Sequence, residues 1–204
     1  MSEEDKAQRS KEKHRARMQE QKAKVDERIA QAQEERGILI VITGNGKGKS
    51  TSGFGTVARA VGHSMRAAVV QFVKGTWPCG ERDLLQKCGV PFHVMGTGFT
   101  WETQDKDTDI KAAKEAWEQA KIWLADPNID LVLLDEITYM LSFKYLDLEE
   151  VLQTLASRPK DQSVIVTGRA CHRAITDMAD TVSEVKPLKH AFDNGIKAQK
   201  GIDW

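Results

Sequence analysis

Short runs of apolar residues recur along the chain from position 37 onward, and stretches with helical spacing of apolar side chains separate them. Most runs are continuous rather than alternating, which is typical of strands buried on both faces of a parallel sheet. The alternation of strand and helix predicts an α/β three-layer sandwich with a mostly parallel sheet. The predicted strands are 38–42, 67–73, 91–95, 129–135, 163–167 and 181–185, and the predicted helices are 50–62, 80–88, 107–125, 147–157 and 171–179.

The first part of the chain has a different composition. Residues 1–36 contain ten Lys or Arg and nine Asp or Glu, without Gly, Pro or aromatic side chains. This favours a helix whose only apolar stripe is Val25, Ile29 and Ala32. We therefore expect an N-terminal helical arm, partly mobile over its first twenty residues in the free protein, followed by one α/β domain at 37–204. The arm is either a solvated tail or an element that docks over a ligand or another subunit.

Overall charge and cysteine content exclude several classes of protein. The 30 basic and 30 acidic residues cancel, so no net charge attracts nucleic acid or an anionic membrane. No run of 18 apolar residues is present, and the charged N-terminus lacks the apolar core of a secretory signal. The three cysteines, Cys79, Cys88 and Cys171, show neither a disulfide framework nor a zinc pattern. We expect a cytoplasmic protein.

A glycine-rich segment, TGNGKGKST at 43–51, follows the first predicted strand and opens the next helix. Strand, glycine-rich turn, Lys-Ser and helix is the order of a phosphate-binding loop. Glycines let backbone N–H groups point at a polyphosphate, and the helix start adds a partial positive charge. Lys49 would neutralise phosphate charge and Ser50 would offer a hydroxyl to Mg²⁺. The candidate nucleotide-binding residues are Gly44, Asn45, Gly46, Lys47, Gly48, Lys49, Ser50 and Thr51.

The spacing of this loop departs from the common pattern by one residue. Counting back from Gly48, the first glycine is expected at position 43, but it occurs at Gly44. The contraction indicates that this loop contacts the phosphates differently from the common phosphate-binding loop. The alternative is a glycine turn followed by Lys-Ser without a ligand.

Two further strand ends carry charged side chains. Asp135 and Glu136 end the apolar run 131–134, where a phosphate-loop fold places a metal-binding carboxylate. Adjacent strand residues point opposite ways, so we expect only one of the two acids to contact the metal. Arg169 follows the strand 163–167 and would reach a phosphate or orient an acid; otherwise it is a surface arginine.

An aromatic loop, GTGFTWET at 96–103, follows the third predicted strand. Phe99 and Trp101 on a glycine-hinged loop indicate a flat apolar ligand or a partner surface. Burial under the following helix is the alternative.

The motifs together resemble a known family, the ATP:cob(I)alamin (corrinoid) adenosyltransferases of bacterial cobalamin synthesis and salvage. The resemblance runs from about residue 24 to residue 204, and it is specific because the contracted loop and the aromatic loop occur together. The segments that carry it are 43–50 (TGNGKGKS), 70–77 (VQFVKGTW), 97–103 (TGFTWET), 134–139 (LDEITY), 167–169 (TGR) and 189–192 (KHAF).

The resemblance implies a P-loop NTPase fold of the RecA-like type, a homodimer, and transfer of the adenosyl group of ATP to corrinoid Co(I) with release of triphosphate. It implies Mg²⁺, or Mn²⁺, held by Ser50, Glu136 and Asp135, and a reduced flavoprotein that supplies Co(I). Lys49 and Arg169 would act on the triphosphate, and Phe99 and Trp101 would displace the lower axial ligand of cobalamin.

Two other functions stay open from the residues alone. One is a P-loop kinase or NTPase that moves a phosphoryl group. The other is a non-catalytic, ATP-gated corrinoid-binding protein.

Overall fold

The computed structural model describes residues 3–73, 78–96 and 105–204. Arg36–Trp204 forms one compact unit, and the residues before it form a second. The first unit is a helix, α1 (Glu3–Gln31), in which ion pairs one turn apart join Lys22 to Asp26 and Lys24 to Glu20. Such pairs support an exposed helix that has only a short apolar stripe.

The second unit contains a six-stranded sheet in which each described strand pair is parallel. The spatial order is β3-β2-β4-β5-β1-β6. The strands are β1 (Leu39–Thr43), β2 (Ala67–Gln71), β3 (Phe92–Val94), β4 (Leu131–Asp135), β5 (Ser163–Thr167) and β6 (Thr181–Glu184). The expected α/β fold with a parallel sheet is confirmed, and because the strands are parallel, all their carboxyl ends lie at one edge.

Helices cover both faces of the sheet. The remaining elements are α2 (Lys49–Gly62), α3 (Gly80–Lys87), α4 (Lys106–Ala125), α5 (Ile137–Ser142), α6 (Leu148–Ala156), α7 (Arg173–Met178) and a 3₁₀ turn at Phe192–Asn194. Leu131 and Leu133 of β4 pack with apolar residues of α2 and α3. Val132 and Leu134 face the other way and pack with α4, α5, α6 and α7. This alternation produces three layers with two apolar cores.

One helix of the structure was not predicted from the sequence. The sequence pattern contained no helix between the fourth strand and the helix at 147–157, yet α5 occupies Ile137–Ser142. Its six residues are too few to show helical periodicity, and Ile137 and Met140 are fully buried, so the segment looks like a continuation of the strand.

The helix predicted at 171–179 begins two residues later than expected, at Arg173. His172 caps this helix, because its Nδ1 accepts a hydrogen bond from the N–H of Ala174.

The sequence contains no apolar run long enough to predict a membrane-spanning helix. Among the described residues, no helix is both long enough and apolar enough to cross a bilayer.

Candidate functional site

The glycine-rich loop lies between β1 and α2 at the carboxyl edge of the sheet. Gly44 and Gly48 have φ angles of 102° and 117°, which side chains rarely adopt. A Cβ atom on Gly44 would lie 2.5 Å from the carbonyl oxygen of Val185. Gly46 N–H donates to that same oxygen at 2.7 Å. The loop is therefore shaped by close contact with the chain that follows β6, and only glycine fits at Gly44.

The first turn of α2 leaves its backbone N–H groups available to an anion. Its N-cap is Gly48, which has no side chain to cap the helix, and its first turn contains no acidic residue. Ser50 and Thr51 lie in that turn. A helix start of this kind attracts negative charge through its orphan N–H groups and its dipole.

Lys49 is buried, with only 5% of its surface exposed. Its Nζ donates to the carbonyl oxygen of Gly46 at 2.9 Å, so the lysine folds back under its own loop. Burial lowers the pKa of Lys49, Glu136 opposes that shift, and the positive charge of Arg169 adds to it. A bound phosphate would supply the negative charge that favours the protonated lysine.

The two acids at the end of β4 occupy different environments. Asp135 is fully buried. Its Oδ1 accepts from Thr167 Oγ1 at 2.8 Å, and its Oδ2 accepts from Gln71 Nε2 at 3.3 Å. Glu136 is half-buried, has φ 62°, and caps α5. The left-handed backbone turns the chain after Asp135, and Glu136 alone of the two acids lines the cavity beside the loop.

That cavity has a volume of about 250 Å³. It is lined by Asn45, Gly46, Lys47, Gly48, Lys49, Ser50, Thr51, Glu136, Arg169, His190 and Asp203. Seven of the eight predicted loop residues are in this set, together with Arg169 and Glu136. The eighth, Gly44, does not line the cavity and packs against Val185 instead. Phe99 and Trp101 lie outside the described residues.

Sequence reasoning missed two residues of this cavity, His190 and Asp203. Both belong to the segment 186–204, which follows β6 and contains the 3₁₀ turn. Asp203 Oδ1 lies 2.7 Å from Lys47 Nζ. The motif containing His190 was visible in the sequence, but no local pattern ties Asp203 to a loop more than 150 positions earlier.

The chain is similar to several known proteins. A family model described as ATP:corrinoid adenosyltransferase BtuR/CobO/CobP matches residues 35–204. A corrinoid adenosyltransferase of Escherichia coli strain K12 is 60% identical over 195 residues, covering 96% of this chain and 100% of that protein. Corrinoid adenosyltransferase CobA of Salmonella typhimurium strain LT2 is also 60% identical over the same lengths.

Other known proteins are less similar in sequence. A corrinoid adenosyltransferase of Pseudomonas aeruginosa is 52% identical over 193 residues, covering 94% of this chain and 95% of that protein. Among solved structures, the RadB recombinase superposes with a TM-score of 0.45 at 13% identity, covering 76% of this chain and 77% of that one.

Proposed function

Because the chain belongs to the ATP:corrinoid adenosyltransferase family, we propose that it transfers the 5′-deoxyadenosyl group of ATP to the Co(I) ion of a corrinoid and releases triphosphate. The observation that carries the proposal is the family match over 35–204, which includes every residue lining the phosphate cavity. Cobalamin biosynthesis or salvage is the process that such a reaction serves.

The reaction makes one bond and breaks one. Co(I) donates its electron pair to the 5′ carbon of ATP, and the carbon–oxygen bond breaks with its electron pair remaining on triphosphate. Co(I) is already a strong nucleophile, so the chain has no need of a general base. Its task is to position ATP and to stabilise the charge that develops on the leaving group. The loop N–H groups, Lys49 and Arg169 are the groups that support this task.

The donor set at the cavity fits Mg²⁺. Glu136 and Ser50 both line it and offer oxygen ligands, and Mg²⁺ is commonly bound by one or two such groups together with substrate phosphates. Mn²⁺ accepts the same ligands. When bound, the ion polarises the triphosphate as a leaving group. Asp135 is engaged by Thr167 and Gln71, so we assign it to orienting the end of β4.

Four further parts complete the proposal, and the first three of them rest on the family resemblance. Phe99 and Trp101 displace the lower axial ligand of cob(II)alamin, which makes cobalt easier to reduce. A reduced flavoprotein supplies the electron. The active protein is a homodimer, and the arm at 1–36 is an element that docks over the corrinoid.

The first test is an anaerobic assay of the purified chain with ATP, Mg²⁺ and chemically reduced cob(I)alamin. We expect loss of the Co(I) absorbance, a light-sensitive adenosylated product, and triphosphate in equal amount. ADP or orthophosphate without a cobalt product would instead identify a phosphoryl-transfer enzyme. Binding of both ligands without any product would identify a non-catalytic corrinoid-binding protein.

A matched pair of serine variants links the activity to the cavity. Ser50→Ala removes a hydroxyl that lines the cavity, and we expect a weaker response of the rate to Mg²⁺. Ser52→Ala removes an exposed hydroxyl on the same helix, outside the cavity lining. If both variants responded to Mg²⁺ as the unmodified chain does, Ser50 would have no part in metal binding.

A further inference from the structure

Lys47 lies in the middle of the phosphate loop, and its charge is engaged by a carboxylate from the segment 186–204. Lys47 Nζ lies 2.7 Å from Asp203 Oδ1 and donates to the carbonyl oxygen of Ile202 at 3.1 Å. Lys49 differs, because its Nζ donates to an oxygen of the loop itself. Of these two loop lysines, the more exposed one is thus held by a residue far away in sequence.

Asp203 is presented to the loop by a closed turn. Its Oδ2 accepts from Gln199 N–H at 2.7 Å, and its own N–H donates to Gln199 O at 2.8 Å. Gly201, with φ 80°, allows the turn and donates its N–H to the carbonyl oxygen of Trp204 at 2.8 Å. The hydrogen bond from Lys47 is the main cause that lowers the pKa of Asp203, so the carboxylate is negatively charged at neutral pH.

This negative charge lies where a polyphosphate would bind, because Asp203 lines the same cavity as 45–51. A polyphosphate bound in the loop would interact with the ammonium group of Lys47, which is paired with the carboxylate of Asp203 in this structure. We propose that Asp203 competes with polyphosphate for Lys47 and so limits how tightly the loop retains triphosphate. The proposal rests on the function proposed above only for the identity of triphosphate as the product.

A competing carboxylate acts more strongly on the product than on the substrate. Breaking the carbon–oxygen bond leaves a new terminal oxygen on triphosphate, which therefore carries more negative charge than the triphosphate group of ATP. Repulsion by a fixed carboxylate grows with that charge. Asp203 would thus favour release after transfer while leaving much of the ATP affinity intact.

The test is calorimetric titration of the full chain with inorganic triphosphate. We expect Asp203→Asn to bind triphosphate roughly threefold to tenfold more tightly at low ionic strength. The gain should shrink in high salt, because exposed charges are screened there. The matched control is Asp193→Asn, which removes an exposed carboxylate of the same segment that does not line the cavity, and it should leave the affinity unchanged.

Unchanged or weaker triphosphate binding by Asp203→Asn would overturn the proposal and assign Asp203 to holding Lys47 in place. A second variant, Lys47→Met, should lose most of the gain when it is combined with Asp203→Asn. If the gain persisted in full, direct competition for Lys47 would be excluded. The titration needs no corrinoid, so its outcome is independent of whether the chain adenosylates cobalt.

Discussion

The hydroxyl of Thr167 donates to Asp135 Oδ1 at 2.8 Å, and its own oxygen, Thr167 Oγ1, accepts the backbone N–H of Glu136 at 3.0 Å. One fully buried side chain at the end of β5 therefore engages both acids at the end of β4. Since Glu136 has a left-handed backbone that residues with side chains rarely adopt, this bond helps to fix the direction in which its carboxylate leaves the strand.

Removal of this hydroxyl should affect both stability and catalysis. Thr167→Val keeps the shape but leaves Asp135 Oδ1 and Glu136 N–H without this partner, so we expect the free energy of unfolding to fall by about 1–3 kcal/mol. The rate with Mg²⁺ and ATP should also fall, because Glu136 is less well oriented. Urea denaturation and steady-state kinetics measure the two effects. Thr167→Ser retains the hydroxyl, and an equal loss in that variant would show that the methyl group matters instead.

The lowered pKa of Lys49 predicts a pH dependence of ligand binding. Because burial disfavours the charged form, the lysine loses its proton at a pH below its usual 10.5. Triphosphate binding should therefore weaken with rising pH before the pH reaches the usual lysine pKa, earlier than for an exposed lysine. Titration of the unmodified chain across this range measures the effect.

The same titration of Lys49→Met supplies the control. This variant should bind more weakly at neutral pH and show a flatter profile. A profile as steep as that of the unmodified chain would assign the pH dependence to another group. The free energy of unfolding should change with pH in the opposite direction. Below the lowered pKa of Lys49 its buried charge reduces stability, and this loss is relieved as the pH rises towards the pKa of lysine in the unfolded chain.

Two glycines, one in the loop and one inside α2, should respond oppositely to replacement by alanine. Gly44→Ala forces a side chain into φ 102° and against Val185 O, so we expect a loss of about 2 kcal/mol in stability and loss of triphosphate binding. Gly55 lies inside α2, and a Cβ there meets no atom within 4 Å. Gly55→Ala should stabilise the protein by about 0.5–1 kcal/mol. Urea denaturation distinguishes the two, and equal effects would contradict the strained geometry of Gly44.

Trp101→Ala should separate reduction of cobalt from nucleotide binding. If Trp101 displaces the axial ligand, the variant should lose adenosylation when cob(II)alamin and a reduced flavoprotein are supplied. Triphosphate affinity and the rate with chemically reduced cob(I)alamin should change little. Parallel assays from the two oxidation states measure the difference. An equal loss in both assays, or loss of triphosphate binding, would contradict this role.

Several features could be predicted from the sequence because they are local. The order of strands and helices follows from apolar runs and helical spacing, and the glycine-rich turn between β1 and α2 follows from glycines next to Lys49 and Ser50. Strand bounds were predicted within a few residues. The short helix at Ile137–Ser142 was missed because six buried residues do not show a period.

The sequence by itself determined the family, the parallel α/β fold and the edge of the sheet where the ligand is expected, since each follows from local patterns of residues and their order along the chain. Only the tertiary structure decided which acid meets the cavity, because the left-handed turn at Glu136 and the contacts of Asp135 depend on β5. It also brought Asp203 to Lys47 across the chain. Contacts between distant segments depend on how the strands are ordered, and no local pattern of residues records that order.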